Sequence, residues 1–235
     1  MQRAIGSIDA IKVVSFDLDD TFWDCAPAIA NAEQALFDWH AENTPRITAA
    51  HDPQSLLQFR VMAREQHPEL AGCVTAMRMQ GLRSLLLQFD YPESMATEAF
   101  DKFYRARSEV VIYPGVIELL QRLSERYSLA AITNGNADLA YIGIDRFFNK
   151  IYAADLELKA KPHADMFKRC REHFGVAAHQ VLHIGDNPVT DVGGALAAGL
   201  QAVWFNQHKD EWPNGKAEAH FEVQSITQMN ALLSL

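Results

Sequence analysis

The chain has 235 residues, 49% of them hydrophobic, and a formal net charge of −9. That length suits one α/β core with a smaller insertion, and the composition excludes wholesale disorder. The acidic balance argues against a nucleic-acid surface and gives no hint of binding to an anionic membrane. It leaves an anionic small substrate open, because the local field of a pocket outweighs net charge.

The first predicted element is a strand. Ile11-Lys12-Val13-Val14-Ser15-Phe16 is a β-branched and aromatic run that reads as buried, and it leads straight into Asp17-Leu18-Asp19-Asp20-Thr21. Helical periodicity follows over 27–40, 55–64, 73–89 and 94–108, with breaks at Asn43-Thr44-Pro45, His67-Pro68 and Tyr91-Pro92. No strand interrupts these helices, so they form a helical insert with a small core of its own. Strand and helix then alternate. Tyr113-Pro114-Gly115 turns into a helix, and 129–133 is a buried strand stopped by Asn134-Gly135-Asn136. A short helix over 138–142, a strand over 150–153 and a helix over 163–174 come next, the last with Pro162 near its first turn. A strand over 181–184 closes on Gly185-Asp186-Asn187, and a small-residue helix over 191–198 stops at Gly199. The strand over 202–205 is followed by a polar loop, a short strand near Phe221 and a terminal helix. The alternation predicts an α/β fold, a parallel sheet covered by helices on both faces.

In such a sheet the carboxyl ends of separate strands converge on one edge, where ligands bind. The first end brings Asp17, Asp19 and Thr21, the second Thr133, Asn134 and Gly135. Lys161 stands before a helix start, and Asp186 and Asp191 follow the strand over 181–184. Acids crowded in a dry site repel one another unless a cation sits among them, and hard divalent cations such as Mg²⁺ take carboxylate and carbonyl oxygens. Asp17 has the chemistry to attack phosphorus, and Asp19 to protonate the leaving alkoxide and then activate water. Crowding beside Asp17 is expected to raise the proton affinity of Asp19. Thr133 and the backbone N–H groups after it offer donors to phosphoryl oxygens, and Lys161 adds positive charge where the transition state gathers negative charge. Asp17, Asp186 and the Asp19 carbonyl are expected to hold the metal, with Asp191 supporting it directly, through water or by a hydrogen bond.

These residues resemble the haloacid-dehalogenase-like hydrolase superfamily. Its four motifs correspond to Asp17-Leu18-Asp19-Asp20-Thr21, Ile132-Thr133-Asn134-Gly135, Lys161-Pro162 and Gly185-Asp186-Asn187 through Asp191. The resemblance implies a Rossmann-like core over 1–24 and 109–235, a helical cap over 25–108, Mg²⁺ dependence and a phosphoaspartyl intermediate. Within the family, Ala131-Ile132-Thr133-Asn134-Gly135-Asn136, the insert stretch Val74-Thr75-Ala76-Met77-Arg78, and His183-Ile184-Gly185-Asp186 are similar to one branch. That branch dephosphorylates flavin mononucleotide and 5-amino-6-(5-phosphoribitylamino)uracil, which implies a small phosphorylated metabolite as substrate.

Arg60, Arg64, Arg78 and Arg83 lie on insert helices where each has a solvated face as its bland alternative, and Arg78 is the preferred substrate contact. Phe22 and Trp23 either line the pocket mouth or pack between insert and core. His179 and His183 read as structural, and the methionines Met62, Met77 and Met79 as packing. Cys25, Cys73 and Cys170 are far apart, the pattern of reduced thiols. No window has the apolar length of a membrane span, and no signal peptide is legible, so the expectation is a cytoplasmic monomer or homodimer. Three other readings use similar residues. Haloacid dehalogenation needs the nucleophile but not Asp19, and a phosphosugar mutase shares the motifs. A phosphorylation-switched receiver-like binding module, from a different class, disagrees with the motif order and with the insert.

Overall fold

Val13, Val14, Ser15 and Phe16 are all buried, a pattern that only a strand covered on both faces produces, and β1 (Val13–Phe16) lies at the centre of the sheet. The computed structural model describes residues 10–233, so residues 1–9 and 234–235, assigned above to the core, lie outside the described residues. The other strands are β2 (Ser128–Thr133), β3 (Lys150–Ala153), β4 (Val181–Gly185), β5 (Gln201–Phe205) and β6 (Phe221–Val223). Among the described residues they form one six-stranded sheet in the order β3-β2-β1-β4-β5-β6, and every pairing is parallel. The winding reverses between β1 and β4, which opens a crevice at their carboxyl ends.

Alternate residues of each strand feed two apolar layers. Val14, Phe16, Leu129 and Leu182 pack with Leu119 and Leu120 of α6 (Val116–Ser124) and Met229 of α10 (Ile226–Leu233) on one face. Val13, Ala130, Val181 and Ala202 pack with Met166, Phe167 and Cys170 of α8 (Asp165–Phe174) on the other. These layers fix the strand ends to which the candidate residues are attached.

The segment between β1 and β2 is helical: α1 (Cys25–Asn43), α2 (Pro45–Ala50), α3 (Pro53–Gln66), α4 (Val74–Gln88) and α5 (Met95–Arg107). Trp39, Phe59, Leu85, Leu86 and Phe103 form its own buried cluster. One helix more appears here than the periodicity predicts. The break at Asn43-Thr44-Pro45 is a junction at which Pro45 opens the short α2, a position where its missing N–H costs nothing. Asp52 caps α3 by accepting from the Ser55 N–H at 2.7 Å, and the Ser55 hydroxyl accepts from the Asp52 N–H in return. The helices α7 (Leu139–Ile142) and α9 (Gly194–Ala197) are single turns. Before α9 the chain makes a wide π-type turn over Pro188–Gly193 rather than the regular helix expected from Asp191. Such turns carry an extra residue per turn and re-aim side chains.

Candidate active site

The loop after β1 is built to turn two carboxylates toward the crevice. Asp20 adopts a left-handed conformation, φ 59°, and its carboxylate accepts from the Cys25 N–H at 2.9 Å. Asp20 therefore closes the loop against the start of α1, which Asp24 caps by accepting from the Ala26 N–H at 3.0 Å, leaving Asp17 and Asp19 on the crevice side. Phe22 and Trp23 are fully buried, so they belong to packing rather than to the pocket mouth. Trp23 does more than pack, because its indole N–H donates to Asp19 Oδ1 at 2.8 Å.

Lys161 is the hub of the cluster. Its ammonium donates to Asp17 Oδ1 at 2.5 Å, to Asp191 Oδ1 at 2.6 Å and to the Ile132 carbonyl at 2.7 Å, which uses all three protons. Asn134 holds the lysine backbone from both sides: Oδ1 accepts from the Lys161 N–H at 2.7 Å and Nδ2 donates to its carbonyl at 3.0 Å. Thr133 is buried, and its hydroxyl oxygen accepts from the Gly135 N–H at 2.9 Å, which leaves the hydroxyl proton to be offered elsewhere.

Asp191 is folded back over the end of β4 by the π-type turn. Gly185 makes this possible, since a Cβ there would lie 2.4 Å from Asp191 Cγ. The Asn187 N–H donates to Asp191 Oδ2 at 3.0 Å. Behind Asp191, His183 Nε2 lies 3.4 Å from Oδ1, and His183 Nδ1 lies 3.0 Å from the Ser15 hydroxyl. The arrangement that satisfies every group has Nε2 donating to the carboxylate and Ser15 donating to Nδ1. Asp186 accepts from the Thr21 hydroxyl at 3.3 Å through Oδ1, and its carbonyl accepts from the Trp204 indole at 2.7 Å.

Oxygens of Asp17, Asp186 and Asp191 all lie within 4.8 Å of one another. Electrostatics tests whether a cation fits there. Burial, with the charges of Asp191 and Asp186, pushes the Asp17 carboxyl well above its usual range against the pull of Lys161. Burial and the neighbouring Asp191 lift Asp186 to about 7. Burial opposes the charge on Asp191 as well, but Lys161 and His183 override it and hold its carboxyl below the ordinary range. Burial works against the Lys161 ammonium, and its two carboxylate partners more than compensate. One lysine thus serves three acids, and the raised carboxyls mark uncompensated negative charge. A divalent cation with a taste for oxygen fits that donor set.

Beyond this cluster lies a cavity of about 670 Å³ between the insert and the strand ends. Asp19, Asn134, Gly135 and Asn136 contribute to it from the core side, and Ile29, Leu57, Met77, Arg78 and Phe103 from the insert. Arg78, the preferred substrate contact, is buried; it donates to Glu33 at 2.9 and 3.3 Å, and its guanidinium carbon sits 3.3 Å over the Phe103 ring centre. Arg60 donates to the same Glu33 at 2.6 Å, while Arg64 borders the cavity from an exposed position and Arg83 is exposed. Thr75, in the stretch that carries the finer resemblance, accepts from Asn136 at 3.0 Å. Cys25 also lines the cavity, but burial and the charge of Asp19 push its thiol up to about 12, which leaves it protonated.

Sequence reasoning missed Arg107 as a member of the site; it reads His183 as structural and Trp23 as pocket lining or packing, and names Asn187 only within the last motif. Arg107, at the end of α5, donates from Nη2 to Asp19 Oδ2 at 2.5 Å and from Nε to Asn136 at 3.1 Å. Its only local signal is that of a basic residue in a helix's last turn, which many helices carry.

The haloacid dehalogenase-like hydrolase family model matches residues 11–199. Over 98% of both chains the sequence is 28% identical to the 5-amino-6-(5-phospho-D-ribitylamino)uracil phosphatase YigB of Escherichia coli K12. It is 30% identical to the phosphoglycolate phosphatase of Chromobacterium violaceum, over 82% of this chain and 84% of that one. The crystal structure of a 2-haloacid dehalogenase from Pseudomonas syringae pv. tomato DC3000 superposes with a TM-score of 0.89 at 33% identity, covering 95% of this chain and 98% of that one. The chain belongs to the haloacid dehalogenase-like hydrolases.

Proposed function

We propose that the chain is a Mg²⁺-dependent phosphomonoesterase acting on a small phosphorylated metabolite. The observation that carries this reading is the meeting of Asp17, Asp186 and Asp191 around Lys161 at the strand ends, with Asp19 two residues beyond the nucleophile. A carboxylate oxygen of Asp17 attacks phosphorus, and the bond from phosphorus to the leaving oxygen breaks as the acyl phosphate forms. The Asp19 carboxyl gives its proton to the departing alkoxide. Asp19 then takes a proton from water as the water oxygen attacks phosphorus, and inorganic phosphate leaves Asp17. Thr133, the Asn134 N–H and Lys161 are the groups suited to the oxygens that gather charge during transfer, and the Gly135 N–H, bonded to the Thr133 hydroxyl oxygen, orients that hydroxyl. Asp17, Asp186, Asp191 and the Asp19 carbonyl are the groups suited to hold Mg²⁺, whose charge screens the nucleophile from the phosphoryl oxygens.

The helical segment 25–108 serves as a cap that excludes water from the leaving group. Its cavity, about 670 Å³, accommodates a metabolite with a planar or polyol tail. Flavin mononucleotide and the ribitylaminouracil phosphate lead the candidates. Similarity to the Escherichia coli phosphatase along nearly the whole chain supports them, as does the Asn136–Thr75 contact joining the two stretches of finer resemblance. The test is phosphate release from a panel of phosphorylated metabolites that includes these two and sugar phosphates. Activity is expected to need Mg²⁺ and to fall by at least about 10³-fold in Asp17→Asn; undiminished release by that variant defeats the reading.

Haloacid dehalogenation is the second reading, favoured by the 0.89 superposition on the Pseudomonas syringae protein. Asp19 and the acidic triad count against it, since displacement of halide by a carboxylate requires neither. Chloride release from 2-chloropropionate in the presence of a chelator would establish it.

A further inference from the structure

We propose that Arg107 is a positioning and specificity-determining residue of this site: it orients Asp19 and offers Nη1 to an oxygen near the scissile ester. Such an oxygen is present in phosphate esters of polyols and sugars and absent from simple alkyl phosphates. The proposal rests on the phosphatase reading above.

The arginine is 2% exposed and touches three elements at once: it ends α5, bonds Asp19 after β1 and bonds Asn136 after β2. Asp19 is gripped from two sides, by Arg107 on Oδ2 and by Trp23 on Oδ1. The close approach depends on Gly135, where a Cβ would lie 2.2 Å from Asp19 Oδ2 and 3.0 Å from Arg107 Nη2. This grip leaves the acid one orientation, which a proton donor to a leaving oxygen needs. Yet the guanidinium is not satisfied. Nη1 is buried without a hydrogen-bond partner, and Arg107 borders the cavity. A buried charged N–H with no acceptor is costly and rare in a folded protein, and at a ligand cavity the acceptor it lacks is a ligand atom. The first leaving-group atoms beyond the ester oxygen enter the cavity beside Asp19, so an oxygen carried there is the acceptor within reach.

Three esters separate this role from a structural one. Ribitol phosphate carries the neighbouring oxygen, propyl phosphate lacks it but still needs its alkoxide protonated, and p-nitrophenyl phosphate has a leaving group stable without a proton. In Arg107→Ala, kcat on propyl phosphate is expected to fall on the order of 100-fold, the loss of a well-placed general acid. On p-nitrophenyl phosphate it should fall less than about tenfold. The wild-type preference in kcat/KM for ribitol phosphate over propyl phosphate should disappear. Added guanidinium at millimolar concentration should restore part of the alkyl-ester rate. Thermal unfolding monitors whether the variant folds, and Arg107→Lys, which keeps the charge and most of the volume, should show the same rank order at smaller amplitude. An equal loss on all three esters, or none, in a folded variant overturns the proposal and leaves the phosphatase reading standing. Wild-type protein that with Mg²⁺ releases phosphate neither from these three nor from the metabolite panel above overturns the phosphatase reading and this proposal with it, whereas activity on the panel with none on ribitol phosphate overturns this proposal alone.

Discussion

Two charge clusters of opposite sign stand apart in the molecule, one at the strand ends and one in the helical insert. At the strand ends one cation, Lys161, bridges Asp17 and Asp191, with Asp186 beside them; in the insert one anion, Glu33, bridges Arg60 and Arg78. The first cluster is nearly dry, with its lysine and Asp191 side chains each 2% exposed, whereas the Arg60 side chain is 38% exposed. Each cluster is left with charge of its own sign in excess. The core excess suits a metal cation held in one place by fixed backbone. The insert excess suits a polar substrate and is softened by solvent, which screens an exposed pair down to about 1 kcal/mol or less. Under the phosphatase proposal, the drier core cluster is where the chemistry is expected and the more exposed insert cluster where selectivity is.

The largest expected effect strikes the core cluster. Lys161→Met removes the shared cation and leaves two buried carboxylates facing each other. Phosphate release should drop about 10²- to 10³-fold, the loss of one preorganised charge at the transferring group. In chelator the variant should also lose about 3–5 kcal/mol of stability, the usual result of orphaning buried charge. Magnesium should restore part of that loss, because a ligand that binds only the folded state stabilises it. Unfolding curves with and without Mg²⁺ check this. A variant as stable as wild type in chelator would show that the acids are already relieved by protonation, and the contrast between the two clusters would shrink.

Within the insert the expected pH response comes from packing rather than from catalysis. His40 is fully buried against the insert core, its Nδ1 bonded to the Thr44 hydroxyl at 2.7 Å, and burial lowers its pKa from 6.5 to about 4. As pH falls below 6.5 the unfolded chain takes up a proton that the folded chain refuses. Stability attributable to this group is full above 6.5, declines toward pH 4 and is then flat, a total on the order of 3 kcal/mol. Chemical denaturation of wild type and His40→Gln between pH 7 and 4 measures it. Parallel curves for the two proteins would exclude His40 as the source.

How much of this was legible in the sequence follows from which forces are local. Asp17, Asp19, Thr133 and Asp186 are legible because each follows a strand marked by an apolar run and a turn, Lys161 because it precedes a helix start and Asp191 because it follows the same strand as Asp186, and the parallel sheet brings such ends together. Asn134 is expected among the phosphate-binding residues; that its side chain also ties down both backbone groups of Lys161 is a pairing set by how β2 and the 155–160 loop approach one another. Arg107 meets Asp19 across 88 residues of chain, and nothing in a helix-ending arginine reveals a partner that distant. His183 reads as one more inward residue of β4; that it touches Asp191 depends on the π-type turn, which helical periodicity over 191–198 conceals. The fold class was legible because alternation of strand and helix is a short-range pattern. The second helix of the insert was not, because a proline after a polar pair marks a boundary without saying what lies beyond it.

The smallest expected effect is the one that best tests the insert as the seat of selectivity. Arg78 stacks on Phe103 and pairs with Glu33, so Arg78→Met keeps the volume and the apolar contact while removing one of two guanidiniums from the Glu33 bridge. Arg60 remains to hold Glu33, and the stability cost should stay near 1 kcal/mol. If Arg78 contacts the substrate, KM should rise about tenfold with kcat nearly unchanged, the signature of binding lost equally from ground and transition states. Arg60→Met, on the more exposed arm of the same bridge, should change KM much less. Were the two variants to behave alike, the bridge would be a strut and selectivity would lie with the apolar walls, Leu57, Met77 and Phe103, that surround it.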